Sequence, residues 1–350
     1  FGESSCVAVD MSLVSEIGVV MKNTGWRIVL LLKNCIRILS LLLAVSILSF
    51  ALVSASPVDP VQQYLMGIGP VSEEQRAEIA AYWGVGQPPQ AQYMRWLCAL
   101  LRGDFGISLL YRRPVIEIIG ERFCNSLALM LCAWLVSGII GFSLGCLMGI
   151  YRDKWQDQVL RRLCYLLSSM PAFWLGLVLL LVFSVKLGWF PVGFSAPVGM
   201  LDSEVTIWQR LHHLALPALT LSLMSFSNIA LHTRQKMMDV MNSPYILFAR
   251  ARGESGWTLF VRHGLRNTIL PALTLQFASF AELFGGSVLA ENVFSYPGLG
   301  SAVSAAGLGS DVPLLLGITL FSTLFVCVGN MIANLLYGII DPKMLQRGIE

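Results

Sequence analysis

The sequence predicts an all-α integral membrane protein with about six transmembrane helices, a long extracytoplasmic loop after the first and a basic cytoplasmic insert between the fourth and fifth. Three observations predict it. Of 350 residues, 55% are hydrophobic and only 13% charged, with a mean hydropathy of +0.68; soluble domains carry about 25% charged residues. Apolar runs of roughly 20 residues, the length that crosses a hydrocarbon core, recur along the chain. Lys and Arg gather in alternate connections, as they do in cytoplasmic loops.

The spans fall at 38–56, 125–150, 163–187, 211–231, 269–294 and 312–340. Lys22, Arg27, Lys33 and Arg37 precede the first span, and Arg152, Lys154, Arg161 and Arg162 join the second and third. Arg234, Lys236, Arg250, Arg252, Arg262 and Arg266 join the fourth and fifth; Lys343 and Arg347 follow the sixth. Between the third and fourth spans Arg210 stands alone, and 295–311 holds no Lys or Arg. Both termini are therefore expected in the cytoplasm. The chain divides into a cytoplasmic segment 1–32, a first helix 33–56, an outer loop or lid 57–123, a core 124–342 and a cytoplasmic tail 343–350. Residues 1–20 lack a charged stretch followed by a sustained apolar run and do not follow the signal-peptide pattern. Met21 is the more natural start.

In the outer loop, Ser72 with Glu73, Glu74 and Gln75 reads as a capped helix start. Gly84, Gly86, Pro88 and Pro89 break that helix, and a second apolar piece, 91–101, ends at Gly103. The eight cysteines form no CxxC pair and read as small buried hydrophobes, with a Cys98–Cys124 disulfide left open. In the second span Gly141, Gly145 and Gly149 repeat every four residues, a pattern that lets helix backbones approach. The same stretch matches GxSxG, but a hydrolase elbow needs a strand–turn–helix setting that a lipid-length helix lacks.

The insert is the most informative stretch. Ser243-Pro244 reads as N-cap and first turn, Tyr245 to Arg252 as two helical turns, and Gly253 as the left-handed residue that ends them. Arg250 and Arg252 suit the negative end of the dipole. A second short amphipathic helix is expected over 257–267, with Pro271 opening the fifth span. Such a pair either lies on anionic lipid or docks into a protein cleft.

Ala249-Arg250-Ala251-Arg252-Gly253, then His263-Gly264-Leu265-Arg266-Asn267 and Leu270-Pro271, resemble the cytoplasmic signature of ABC importer permeases, and more narrowly the dipeptide/oligopeptide/nickel branch. Gly103-Asp104-Phe105-Gly106-Ile107-Ser108, Pro171-Ala172-Phe173-Trp174, His213-Leu214-Ala215-Leu216-Pro217, the run from Glu291 to Gly300, and Asp341-Pro342 extend the likeness over about 33–343. It departs where the wider signature carries Glu six residues before the glycine; Leu247 stands there. The resemblance implies a pathway shared with a second permease subunit, as a heterodimer. It also implies two ATP-binding subunits gripping Tyr245, Phe248, Ala249, Arg250, Ala251, Arg252, Gly253 and Glu254, and an extracytoplasmic solute-binding protein delivering nickel, metal chelates or di-/oligopeptides. Localisation would be the bacterial inner membrane.

The sequence is consistent with a borrowed motor. It has no GxxxxGK[ST] loop and no Gly-Lys pair, so ATP hydrolysis is expected on other subunits. No catalytic residue, metal site or cofactor is expected on this chain. A net charge of +3 gives nucleic-acid binding no support.

Glu282, within the fifth span, either lines the pathway and attracts a cation or pairs with a neighbouring helix. His212 and His213, adjacent in a helix, point about 100° apart and do not readily share one ion. His263 is expected to hold a structural hydrogen bond. A self-sufficient secondary transporter or channel is the alternative class, and would show internal repeats and interrupted helices. An intramembrane enzyme lacks HExxH and a credible nucleophile–base pair.

Overall fold

The computed structural model describes residues 24–55, 88–201 and 203–340. The helix start at Ser72, the start at Met21 and the tail 343–350 lie outside the described residues. Among the described residues the chain is helical, without a named strand. Ten helices follow one another among the described residues, and two bends decide how spans are counted.

Helix α1 (Thr24–Ser54) packs along the last helix and against α2 (Pro89–Leu101). The Ser46 and Tyr93 hydroxyls lie 2.8 Å apart, and Phe50 meets the rings of Tyr93 and Trp96 at 5.4 and 6.0 Å. The apolar piece of the outer loop is thus a real helix held against the first span. Cys98 and Cys124 are both free and exposed, so no disulfide braces it.

Helix α3 (Val115–Ile150) starts ten residues before the expected second span, so 115–123 is helix where loop was expected. Glu117, Glu121 and Arg122 gave that stretch the look of a loop. The charged side faces out, where Arg113 reaches Glu121 at 3.0 Å and Glu117 at 3.5 Å, while Val115, Ile118 and Ile119 are buried on the other side and Glu117 in the first turn favours the helix dipole.

The expected third span is two helices, α4 (Trp155–Ser168) and α5 (Ala172–Lys186), bent by 109°. The break is at Pro171, which has no N–H and disfavours helical geometry at the residue before it. Helix α5 ends in a π-helical stretch, Leu180–Lys186.

Helix α6 (Ile207–Met241) outruns its apolar stretch at both ends. Thr206 and Gln209 close a capping box at its start. Its tail is polar and continues as helix because α3 and α4 pack on it. Here the glycine stripe acts: a Cβ at Gly141, Gly145 or Gly149 would collide with Ile229, Thr233 or Met237. The stripe lets the backbones of α3 and α6 pack closely.

Helix α7 (Pro244–Ala251) follows. The expected separate helix over 257–267 is instead the first part of α8 (256–293). Helix α8 runs from Gly256–Leu259 through a π-helical stretch, Phe260–Leu265, into Arg266–Val293. Pro271 lies inside it and does not open it; membrane helices tolerate such prolines where neighbours re-satisfy the freed carbonyl. Helix α8 bends by 55° beside residue 281. The connection after α8 holds α9 (Leu299–Leu308), and α10 (Val312–Ile340) closes the bundle. Among the described residues four helices are individually long and apolar enough to span, and the number reaches six if each bent pair counts as one crossing.

Two buried carboxylates knot the end opposite α7. Glu291 accepts from Ser126 Oγ (2.7 Å) and from the N–H groups of Gly300 (2.7 Å) and Ser301 (3.1 Å), capping α9. Asp311 accepts from Ser108 Oγ (2.5 Å) and from the N–H groups of Leu110 (2.9 Å) and Leu314 (3.2 Å). It ties the Gly103–Ser108 loop to the start of α10.

Candidate functional site: the basic hairpin and the cleft

Between α6 and α8 the chain makes a short hairpin. Ser243 does not cap α7 with its side chain; its hydroxyl donates back to Val240 O at 2.5 Å. The Ser243 carbonyl receives the N–H groups of Ile246 and Leu247, and Pro244 brings no N–H to satisfy. At the other end, Glu254 N–H bonds Ala249 O (3.1 Å) and Gly253 N–H bonds Arg250 O (2.9 Å). These are the paired bonds of a Schellman ending. Gly253 sits at φ +91° with open space where a Cβ would be, so the backbone angle alone demands glycine.

The hairpin has a clear inside and outside. Ile246 and Ala249 are buried and cluster with Leu259. Tyr245, Leu247 and Phe248 are exposed, Phe248 by 66%. Arg250, Ala251, Arg252 and Gly253 share that open surface, and the Arg252 guanidinium lies 6.0 Å from the Phe248 ring. Glu254 is half-buried and braces the turn, with His263 Nε2 at 3.0 Å and Arg262 at 3.7 Å. Of the residues singled out by sequence, Ala249 faces inward and Glu254 is engaged locally; the others form the outward face. His263 is hydrogen-bonded, as expected. Leu247, which replaces the acid of the wider signature, adds apolar surface.

The hairpin joins two spanning helices directly. Met237 of α6 packs with Cys146 of α3 and Phe260 of α8, beside Phe142, Met241 and Leu265. Thr268 donates to Gly264 O at 2.8 Å, and the Gly264 backbone lies close to Met237 Sδ. Helix α7 itself packs on α8 through Ile246, Ala249 and Leu259 and is joined to α6 by residues 242–243.

Those two helices line a cleft of about 430 Å³. Ser225, Asn228 and His232 face it from α6, and Ser279 and Glu282 from α8. Glu282 is exposed to this space. Among the described residues no group of three or more His, Cys, Asp and Glu side chains converges to hold a metal. His212 bonds Trp189 O at 2.8 Å and His213 bonds Gly193 O at 2.9 Å, so the adjacent histidines serve separate carbonyls.

Sequence reasoning missed one polar site beneath the hairpin. Arg234 donates to both oxygens of Asp157, at 2.6 and 2.7 Å, and Asp153 N–H adds a third bond at 2.9 Å. Arg234 looked like one more charge in a basic connection. The fourth span was expected to end at 231, whereas α6 continues to Met241 and carries Arg234 inside it.

The chain is similar to known proteins along most of its length. Residues 141–346 match the model of the family described as binding-protein-dependent transport system inner membrane component. The oligopeptide transport system permease protein AppB of Bacillus subtilis is 35% identical over 315 residues, covering 90% of this chain and 98% of that protein. A putative peptide transport system permease of Brucella suis is 36% identical, covering 90% and 98%. The glutathione transport system permease protein GsiC of Salmonella paratyphi A is 35% identical, covering 89% and 97%. In fold, the chain is similar to an inward-facing structure of the MetNI methionine ABC transporter, with a TM-score of 0.53, 13% identity, and coverage of 65% of this chain and 97% of that one. A multi-pass helical chain whose likeness to such permeases runs almost end to end belongs to the inner membrane components of binding-protein-dependent transport systems, the permease subunits of ABC importers.

Proposed function

We propose that this chain and a second, non-identical permease enclose the translocation pathway of an importer for short peptides, driven by two ATP-binding subunits that grip the outer face of α7. The observation that carries the reading is the covalent continuity of α7 with α6 and α8, and its packing on Leu259 of α8, the two helices that line the cleft. A movement imposed at Phe248 has a direct route to the cleft walls. The absence of a P-loop from the sequence supports hydrolysis on the partners, with no cofactor on this chain. The Lys/Arg distribution supports cytoplasmic termini and an extracytoplasmic 57–114 that meets the binding protein.

Peptides are favoured because the similar permeases carry oligopeptide, peptide and glutathione names. Nickel or a metal chelate is the second reading, favoured by Glu282 in the cleft. A peptide ammonium group and a cationic chelate would both gain from that carboxylate. The test is reconstitution of the whole transporter in liposomes with its binding protein and internal ATP. Uptake of labelled short peptides, without uptake of nickel, is the expected result. Nickel uptake alone would transfer the reading to metals. ATP hydrolysis by the lone chain, or full transport with the α7 face scrambled, would overturn the coupling role.

A further inference from the structure

We infer that α4 (Trp155–Ser168) is not part of a span but an in-plane helix that lies on the bilayer surface and binds anionic phospholipid headgroups. The inference does not depend on the substrate.

Its composition excludes a crossing. The first eight residues of WQDQVLRRLCYLLS hold Asp157, Arg161, Arg162 and two amides, whereas AFWLGLVLLLVFSVK of α5 holds one charge, at its end. The geometry places it. Helix α5 is the apolar partner, and a bend of 109° at Pro171 turns α4 nearly at right angles to it. With α5 running across the bilayer, α4 runs along its face.

The two sides of α4 differ in kind. On one, Asp157 and Cys164 are buried, and Leu160 and Leu167 pack with Met148 of α3 and Phe226 and Ala230 of α6. On the other, Trp155, Val159, Leu163 and Leu166 recur at helical spacing, and all four are exposed, Trp155 by 70%. A soluble surface has no use for such a stripe. The stripe stands open while α4 meets α3 and α6 through its other side.

Charge selects the occupant. Arg162 is exposed beside the stripe, Arg161 is partly exposed, and exposed Lys154 stands at the helix start. The nearby acids are neutralised internally: Asp157 by Arg234 and Asp153 by Arg152 at 3.2 Å. The outer side is therefore apolar with a net positive margin, the pattern of a helix whose apolar stripe sinks to the acyl boundary while its cations meet phosphates. Because Asp157 bolts α4 to α6, the headgroup layer would be mechanically linked to the helix that leads into α7.

The test uses the complete transporter in nanodiscs of phosphatidylglycerol and phosphatidylcholine, with p-benzoylphenylalanine at Val159. Illumination should yield a covalent lipid adduct, enriched in phosphatidylglycerol roughly fivefold over its share per effective basic contact. Lys154→Gln with Arg162→Gln should return the adduct to the bulk lipid ratio while ATPase activity in detergent is retained. A lipid adduct without phosphatidylglycerol enrichment would refute headgroup recognition. An adduct to the ATPase or to the second permease, or no lipid adduct, would refute the in-plane placement.

Discussion

Arg234 of α6 holds Asp157 of α4 through two parallel hydrogen bonds of 2.6 and 2.7 Å, with the Asp157 side chain fully buried. The pair sits seven residues before the end of α6 at Met241. It fixes a helix that cannot span against the helix that carries the hairpin. Removing one partner strands the other charge, which costs about 3–5 kcal/mol in buried pairs. Asp157→Asn and Arg234→Met should each lower the thermal midpoint of the purified chain by several degrees. Asp157→Asn with Arg234→Met together should lose less than the two losses added, because no unpaired charge remains. Arg234→Lys should not restore the native midpoint, since an ammonium cannot match the fork. Thermal unfolding in detergent measures all four; full rescue by Lys would contradict the bidentate role.

At the hairpin, Gly253→Ala forces a side chain into φ +91°, at about 1–2 kcal/mol, and should loosen the Schellman ending. Phe248→Ala removes exposed surface without disturbing the buried Ile246 and Ala249. Both variants should insert normally and bind the second permease. Both should show transport and binding-protein-stimulated ATPase activity reduced by tenfold or more, in line with loss of roughly 1.4 kcal/mol or more of docking energy. Ala249→Leu should damage the chain differently, by overpacking against Leu259, and should show as lower expression and midpoint. If Phe248→Ala retains native coupling, the outward face is not the grip.

Gly298 and Glu291 make a third test. A Cβ at Gly298 would run into the Glu291 carboxyl group, which is already committed to Ser126, Gly300 and Ser301. Gly298→Ala should therefore expel the carboxylate from the N-terminus of α9 and destabilise the chain by about 1–3 kcal/mol. Glu291→Gln should be milder, because its amide oxygen can still accept from the two N–H groups. Susceptibility of the connection after α8 to added protease reports the loosening. Equal resistance of Gly298→Ala and the native chain would contradict the close fit.

Local patterns carried much of the fold into the sequence. Hydropathy located the six apolar regions, the Gly141–Gly145–Gly149 spacing announced a close helix pair, and Gly253 marked the end of α7. Features that depend on a distant partner left no such trace. Asp157 and Arg234 are separated by 77 residues, and Ser108 and Asp311 by 203; no periodicity links them. Where local signals conflicted, the average misled. Hydropathy over 163–187 hid the break that Pro171 signals, and the charges at Glu117 and Glu121 hid two helical turns that the buried Val115, Ile118 and Ile119 anchor. Most of the α7 face was legible because its chemistry is exposed and contiguous. The cleft was legible only at Glu282, since Ser225, Asn228 and His232 look like ordinary polar residues until α6 turns them toward α8.

Glu282 allows the sharpest separation of pathway from scaffold. Its carboxyl group faces the cleft rather than the packed interior, and no ion pair involves it among the described residues. A structural acid removed to Gln would lower stability, whereas a pathway acid would alter substrate handling at constant stability. Glu282→Gln should leave the midpoint and the ATP-driven cycle near native. It should slow uptake of peptides with a free α-ammonium group by about three- to tenfold, the scale of about 1 kcal/mol lost from one charge at an effective dielectric well below that of water. Peptides acetylated at the N-terminus should be affected far less. Parallel uptake assays on the two peptide series decide it. Equal slowing of both series would assign Glu282 to the scaffold, and an unchanged rate for both would remove it from the pathway.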